Sequence, residues 1–246
     1  MNALQRIFGG SEVPENEHVP YLVSLQYQTR RGIIHNCGGS IIAPNRILTA
    51  AHCCKDMNVT LMTVLAGVRN LDDHTGFRSK VVTCSIHPDY KSLVTSDLAV
   101  LSIDPPLHYN NLTIAPISVN GKEFVPGNVS VTITGWGLRF PISISFLEFF
   151  MYPKILQRVN YSTITNKQCR DWGMDKVTDT EICVRGLLKG ACAGDSGGPL
   201  VMTTSKGLLQ VGIAAYAPRI CGLFLIPDVY TRLYTFRDWI QKQINQ

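Results

Sequence analysis

The rhythm of short extended runs constrains this chain most. β-branched or alternating stretches recur at residues 21–26, 47–50, 63–65, 81–85, 98–103 and 129–134. Turn-forming clusters such as Pro14-Glu15-Asn16 and Asp104-Pro105-Pro106 punctuate them. The second half repeats the pattern at residues 198–203, 208–214 and 229–233. No helical period intervenes until the tail. Over residues 234–245, Phe236, Trp239, Ile240 and Ile244 fall at helical spacing and predict one amphipathic helix docked on the body. Closely spaced strands without intervening helices predict an all-β sandwich or barrel pair. A hydrophobic fraction of 45% and a charged fraction of 17% exclude a disordered, acidic or collagen-like chain. With 246 residues the chain is long enough for a real core, and chains of this size bury roughly three quarters of their extended surface.

Lys and Arg number 23 against 18 Asp and Glu, a net charge of +5. These cations are scattered, with Arg30-Arg31 the densest pair, so there is no nucleic-acid footprint. No apolar run reaches the roughly 18 residues that a membrane span needs. Residues 1–6 are too short for a secretory leader, and the chain reads as one that starts after a removed leader. Eight Cys point to an oxidising compartment. The glycan acceptor triplets Asn58-Val59-Thr60, Asn111-Leu112-Thr113, Asn128-Val129-Ser130 and Asn160-Tyr161-Ser162 point the same way. Together they predict a secreted, extracellular glycoprotein.

A hydroxyl is a poor nucleophile at neutral pH. It needs a neighbouring base, and the base needs a third group to fix its tautomer. The chain offers one of each in a distinctive context. Thr49-Ala50-Ala51-His52-Cys53 sets a His beside a Cys, and Thr95-Ser96-Asp97-Leu98-Ala99-Val100 sets an acid at the mouth of an apolar strand. Gly194-Asp195-Ser196-Gly197-Gly198-Pro199 surrounds a Ser with Gly, whose bare backbone lets N–H groups approach a reacting oxygen. Any one segment taken alone reads as a core His, a strand-end Asp or a turn Ser.

In this order the three segments resemble the chymotrypsin-like serine proteases. The resemblance runs from Ile7 to the end of the chain. It also takes in His35-Asn36-Cys37-Gly38-Gly39-Ser40, Thr134-Gly135-Trp136-Gly137 and Pro227-Asp228-Val229-Tyr230-Thr231-Arg232. It implies two packed antiparallel β-barrels with a C-terminal α-helix. Residues 7–115 would form the first barrel and residues 116–246 the second barrel with the helix, together one peptidase unit. Residues 1–6 would be a residual propeptide. It implies a serine endopeptidase in which His52 is general base and then acid, Asp97 orients it, and Ser196 is the nucleophile. The N–H groups of Gly194 and Ser196 would form the oxyanion hole, where losing one donor typically costs roughly 3–4 kcal/mol of barrier.

Arg6-Ile7-Phe8-Gly9-Gly10 resembles the family's activation site, where most members carry Ile-Val-Gly-Gly. Cleavage after Arg6 by a trypsin-like protease would free the Ile7 amine to pair with Asp195, a buried latch on the oxyanion loop. The uncut chain is therefore expected to be a zymogen of low activity. Among its eight Cys, the resemblance implies the bridges Cys37–Cys53, Cys169–Cys183 and Cys192–Cys221. The remaining Cys54 and Cys84 form either a fourth bridge or two buried thiols.

The resemblance places the substrate pocket floor at Gly190, where trypsin-like members carry Asp, and its walls at Ala215, Tyr216 and Ala217, where many members have Ser-Trp-Gly. Ala217 narrows the pocket by a methyl, a feature worth roughly 1–3 kcal/mol of discrimination. Ala215 lacks a hydroxyl that usually supports the triad acid, which keeps a catalytically weak binding homologue as an alternative. Asp228 at the back wall either attracts a basic side chain or is buried and hydrogen-bonded. The expected preference before the cut bond is apolar (Leu, Met, Phe, Tyr or smaller aliphatics), with basic preference through Asp228 as the alternative. An unrelated esterase with the same Gly-x-Ser-x-Gly pattern would carry its His last, whereas His52 precedes Ser196.

Residues 140–152 are apolar, with Glu148 their only charge. They read as an exosite, a self-association patch or a lipid-touching edge, or as a loop that folds back on the body or becomes ordered only after activation. Neither a metal nor a cofactor is expected: no His-Glu-x-x-His motif occurs, and Val68 stands where calcium-binding members carry an acid. Expected partners are protein or peptide substrates, an activating protease and a protein inhibitor. The molecule is expected to be a monomer.

Overall fold

Strand β9 (Gln157–Ile164) shows how the pattern becomes architecture. Gln157, Val159, Tyr161 and Thr163 are buried, while Arg158, Asn160 and Ser162 turn outward. The computed structural model describes residues 10–91, 95–138, 153–186, 189–216 and 226–246. Two closed barrels arise from such strands.

The first contains β2 (Leu22–Thr29), β3 (Gly32–Ala43), β4 (Arg46–Thr49), β5 (Met62–Ala66), β6 (Phe77–Ile86) and β7 (Ala99–Asp104). They run in the order β2-β3-β4-β7-β6-β5, and β2 pairs with β5 to close the ring. The second contains β8 (Ser130–Gly135), β9, β10 (Glu181–Arg185), β11 (Pro199–Thr204), β12 (Gly207–Tyr216) and β13 (Asp228–Arg232). Their order is β9-β10-β13-β12-β11-β8, closed by β8 against β9, and the short β1 (Ser11–Glu12) adds to the outside of β9. Every ladder is antiparallel. Closure leaves neither barrel a long unpaired edge. The fold is all-β, with helices confined to α1 (Asn166–Asp171), α2 (Leu233–Ile244) and two single 3₁₀ turns among the described residues.

The expected terminal helix is α2. Its buried face, Leu233, Phe236 and Ile240, joins the core of the first barrel, so the helix straps the end of the chain across both halves. Burying each such side chain stabilises by about 1.5–3 kcal/mol. Short α1 depends on a capping box between Thr165 and Gln168 rather than on a long apolar face.

The barrels meet along a seam of backbone and polar contacts. Ser40 Oγ donates to Gln210 Oε1 at 2.6 Å, and Gly38 N–H donates to the Ser196 carbonyl at 2.7 Å. A Cβ on Gly38 would sit 2.9 Å from the Gly198 Cα, and one on Gly198 would sit 2.8 Å from the Asp195 carbonyl oxygen, so neither position has room for a side chain.

Cys37–Cys53, Cys54–Cys84 and Cys169–Cys183 are disulfides. Each contributes about 3 kcal/mol in a chain-entropy account. Cys192 is disulfide-bonded as well, while Cys221 lies outside the described residues. Among the described residues no cysteine is free, so Cys54 and Cys84 form a bridge rather than two thiols. No described helix is long and apolar enough to cross a membrane.

Candidate active site

The seam gathers residues from distant parts of the sequence. His52 sits in the 3₁₀ turn Ala51–Cys53 that follows β4. Asp97 lies just before β7, after the left-handed Ser96 (φ 52). The His52 ring donates from Nδ1 to Asp97 Oδ2 at 2.6 Å, and the His52 backbone N–H donates to Asp97 Oδ1 at 3.0 Å. Both carboxylate oxygens are thereby engaged, which fixes the ring orientation. It also leaves Nε2 as the nitrogen able to accept a proton. Asp97 is buried, whereas the His52 side chain remains 23% exposed. Thr231 Oγ1 donates to the Asp97 carbonyl at 2.9 Å, anchoring this segment to the second barrel.

Ser196 lies between Gly194 (φ 97) and Gly197 (φ 77), in a turn held on several sides. Gly197 N–H donates to the Ala214 carbonyl at 2.7 Å, and Gly198 N–H donates to the Asp195 carbonyl at 2.9 Å. The His52 and Ser196 turns anchor at adjacent residues of β3, because Cys53 is bonded to Cys37 and Gly38 holds the Ser196 carbonyl. The sulfurs of Cys37 and Cys53 lie beside the His52 ring but offer no thiolate to a metal, since they are bonded to each other.

Sequence reasoning assigned no role to His35, yet it braces this loop. Its Nε2 lies 2.9 Å from the Gly194 carbonyl and its Nδ1 2.8 Å from Ser24 Oγ. A carbonyl only accepts, so Nε2 carries the proton and Nδ1 accepts from the Ser24 hydroxyl. Burial pushes the imidazole down to about 4, against the pull of the Gly194 carbonyl, so the ring is neutral at physiological pH. The Gly194–Asp195 peptide is thus fixed without a charge at His35.

Asp195 is buried with its carboxylate turned inward. Gly137 N–H donates to Oδ1 and Cys192 N–H to Oδ2, each at 2.9 Å. Burial pushes its carboxyl up to about 6 despite these donors. A Cβ at Gly135 or Gly137 would collide with this side chain. Arg6 and Ile7 lie outside the described residues.

A pocket beside Ser196 is lined by Ala191, Cys192, Ala214, Ala215, Tyr216, Val229 and Tyr230. Gly190 is buried next to Ala191, and Ala217 and residues 140–152 lie outside the described residues. The Tyr216 ring packs against the cluster around Cys169 and Cys183. Asp228 is not part of the lining. It is buried, and its Oδ2 accepts from Ala191 N–H at 2.8 Å and from the Tyr161 hydroxyl at 3.0 Å. Burial pushes its carboxyl up to about 7; the two donors pull it down, and the Asp195 charge raises it. Tyr161 is the other residue that sequence reasoning missed.

Comparison with known proteins agrees with this geometry. The family model described as Trypsin matches residues 7–240. The chain is 31% identical to Chymotrypsin-C of Mus musculus, over 99% of this chain and 90% of that protein. It is 32% identical to Kallikrein-1 of Mus musculus, over 96% of this chain and 89% of that protein. It is 33% identical to Chymotrypsin-2 of Vespa crabro, over 96% of this chain and 99% of that protein. The family model over nearly the whole chain and these relatives agree with the His–Asp pair and glycine-flanked Ser on a shared seam, and the chain belongs to the trypsin family of serine endopeptidases.

Proposed function

We propose that this endopeptidase works through His52, Asp97 and Ser196, is activated by cleavage after Arg6, and prefers apolar side chains before the cut bond. The observation that carries the reading is the double hydrogen bond from His52 to Asp97, which leaves Nε2, 3.8 Å from the Cys53 sulfur, as the ring nitrogen able to take a proton.

Ser196 Oγ attacks the substrate carbonyl carbon as its proton passes to His52 Nε2. The new oxyanion is received by the Gly194 and Ser196 N–H groups, whose loop is braced by His35 and Asp195. Collapse of the tetrahedral intermediate breaks the C–N bond, and the amine leaves with the proton from His52. Water then attacks the acyl-enzyme, giving its proton to His52, which returns it to Ser196 Oγ. Ala215 offers no hydroxyl to Asp97. The His52 backbone N–H and the Thr231 bond to the Asp97 carbonyl support that residue instead.

Apolar preference follows from a lining of small aliphatic and aromatic groups, with Asp228 engaged behind the wall. Residues 7–115 and 116–246 act as one peptidase unit, with residues 1–6 a residual propeptide that cleavage removes. Secretion with glycosylation fits the disulfides and the exposed Asn58, Asn111, Asn128 and Asn160. A panel of peptide substrates, given to protein cut at Arg6, tests the preference. Leu, Met, Phe or Tyr before the cut bond should outrun Arg and Lys. Strong Arg cleavage without apolar cleavage would reverse the assignment.

A further inference from the structure

We propose that Tyr161 is a specificity-positioning residue: its hydroxyl holds Asp228 behind the pocket wall, so that the pocket takes apolar rather than basic side chains. This inference rests on the apolar preference proposed above.

Tyr161 stands in the middle of the buried row of β9, among the interior side chains of the second barrel. A phenol enclosed in that way usually finds a hydrogen-bond partner. It finds Asp228 Oδ2, at 3.0 Å. Asp228 opens β13, and the next two residues, Val229 and Tyr230, line the pocket. The carboxylate is therefore one residue from the surface that a substrate side chain touches. Tyr161 and the Ala191 N–H converge on the same oxygen, and Ala191 itself lines the pocket. The titratable groups facing this carboxyl are Tyr161 from β9, Tyr230 from its own strand and Asp195 from the nucleophile loop. Burial and the Asp228 charge hold the Tyr161 proton well above the ordinary phenol range, so this group remains a donor at any working pH.

An entering guanidinium would have to compete with bonds that Asp228 already makes. Tyr161→Phe removes one of them and leaves a buried acceptor short of a donor, which a basic side chain can replace. The lost bond favoured the charged form, so Asp228 in the variant holds its proton to higher pH. The gain for Arg substrates should therefore grow as pH rises through and beyond 7. A residue that only packs the barrel would alter both substrate classes together.

The test compares parent and Tyr161→Phe, both cut at Arg6 and normalised by active-site titration, on Arg and Leu peptide substrates from pH 6 to 9. The ratio of kcat/KM for Arg over Leu should rise about 10-fold or more at pH 9, the size of a hydrogen bond to a charged group, and rise less at pH 6. Adding Asp228→Asn should abolish the gain. Tyr161→Leu, which refills the barrel differently, should shift the ratio in the same direction. An unchanged ratio, a parallel loss on both substrates, or a gain that survives Asp228→Asn would overturn the role of Tyr161 alone. A parent that already prefers Arg would overturn the apolar reading and this inference with it.

Discussion

Asp97→Asn should leave the protein folded and lower kcat by about 10⁴-fold with little change in KM, the signature of lost transition-state stabilisation. Asp97 accepts two hydrogen bonds from one residue, the Nδ1–H and the backbone N–H of His52. An Asn has one oxygen to give. The backbone N–H cannot change its role, so the amide oxygen goes there and the amide NH₂ faces Nδ1. Nδ1 must then accept, which moves the ring proton to Nε2. In that tautomer His52 cannot take the proton of Ser196. Steady-state kinetics on the cut variant, with circular dichroism to confirm folding, checks this. A loss below about 10-fold would mean that Asp97 does not set the tautomer.

Arg6→Gln should stay uncut by trypsin and remain about 10²–10³-fold less active than the cut parent, the scale of a misplaced oxyanion donor. The reason lies at Asp195. Its buried carboxylate accepts from the Gly137 and Cys192 N–H groups, and burial still raises it to about 6. A carboxyl raised on folding contributes stability at low pH, and this is lost as pH rises through the folded value. In the uncut chain, at pH 7 to 8, the inward Asp195 is therefore a cost. A freed Ile7 amine would pair with the charge and reverse that cost, holding the Gly194 loop in its working shape. Arg6→Lys should be activated like the parent, which separates cleavage from any other effect of position 6. Activity equal to the cut parent in intact Arg6→Gln would contradict the latch.

Much of this was legible in the sequence, and the exceptions share physical causes. Residues 47–50, 98–103 and 208–214 become β4, β7 and most of β12 because their β-branched and apolar runs have nowhere to go but a barrel interior. Strand β3 escaped notice because Asn36, Gly38 and Gly39 interrupt its apolar ends. Gly38 is there because the seam brings it against Gly198, and Gly39 because a Cβ would press on the Ile47 and Val23 side chains. Strand β9 was hidden because polar Gln157 and Thr163 take inward positions of its alternation, and α1 because six residues are too few for a helical period. In the site, His52, Asp97 and Ser196 carry local motifs. Nothing local assigns a role to His35 or Tyr161, since their partners Gly194 and Asp228 are 159 and 67 residues away. Such pairings exist only once the barrels close.

The most direct test is labelling with a fluorophosphonate, which bonds to an activated serine, followed by peptide mass mapping. Protein cut at Arg6 should gain a single adduct on the peptide containing Ser196, uncut protein far less, and Ser196→Ala none. Cut protein that stays unlabelled, or that carries the adduct on another residue, would contradict the assignment of Ser196 as the nucleophile.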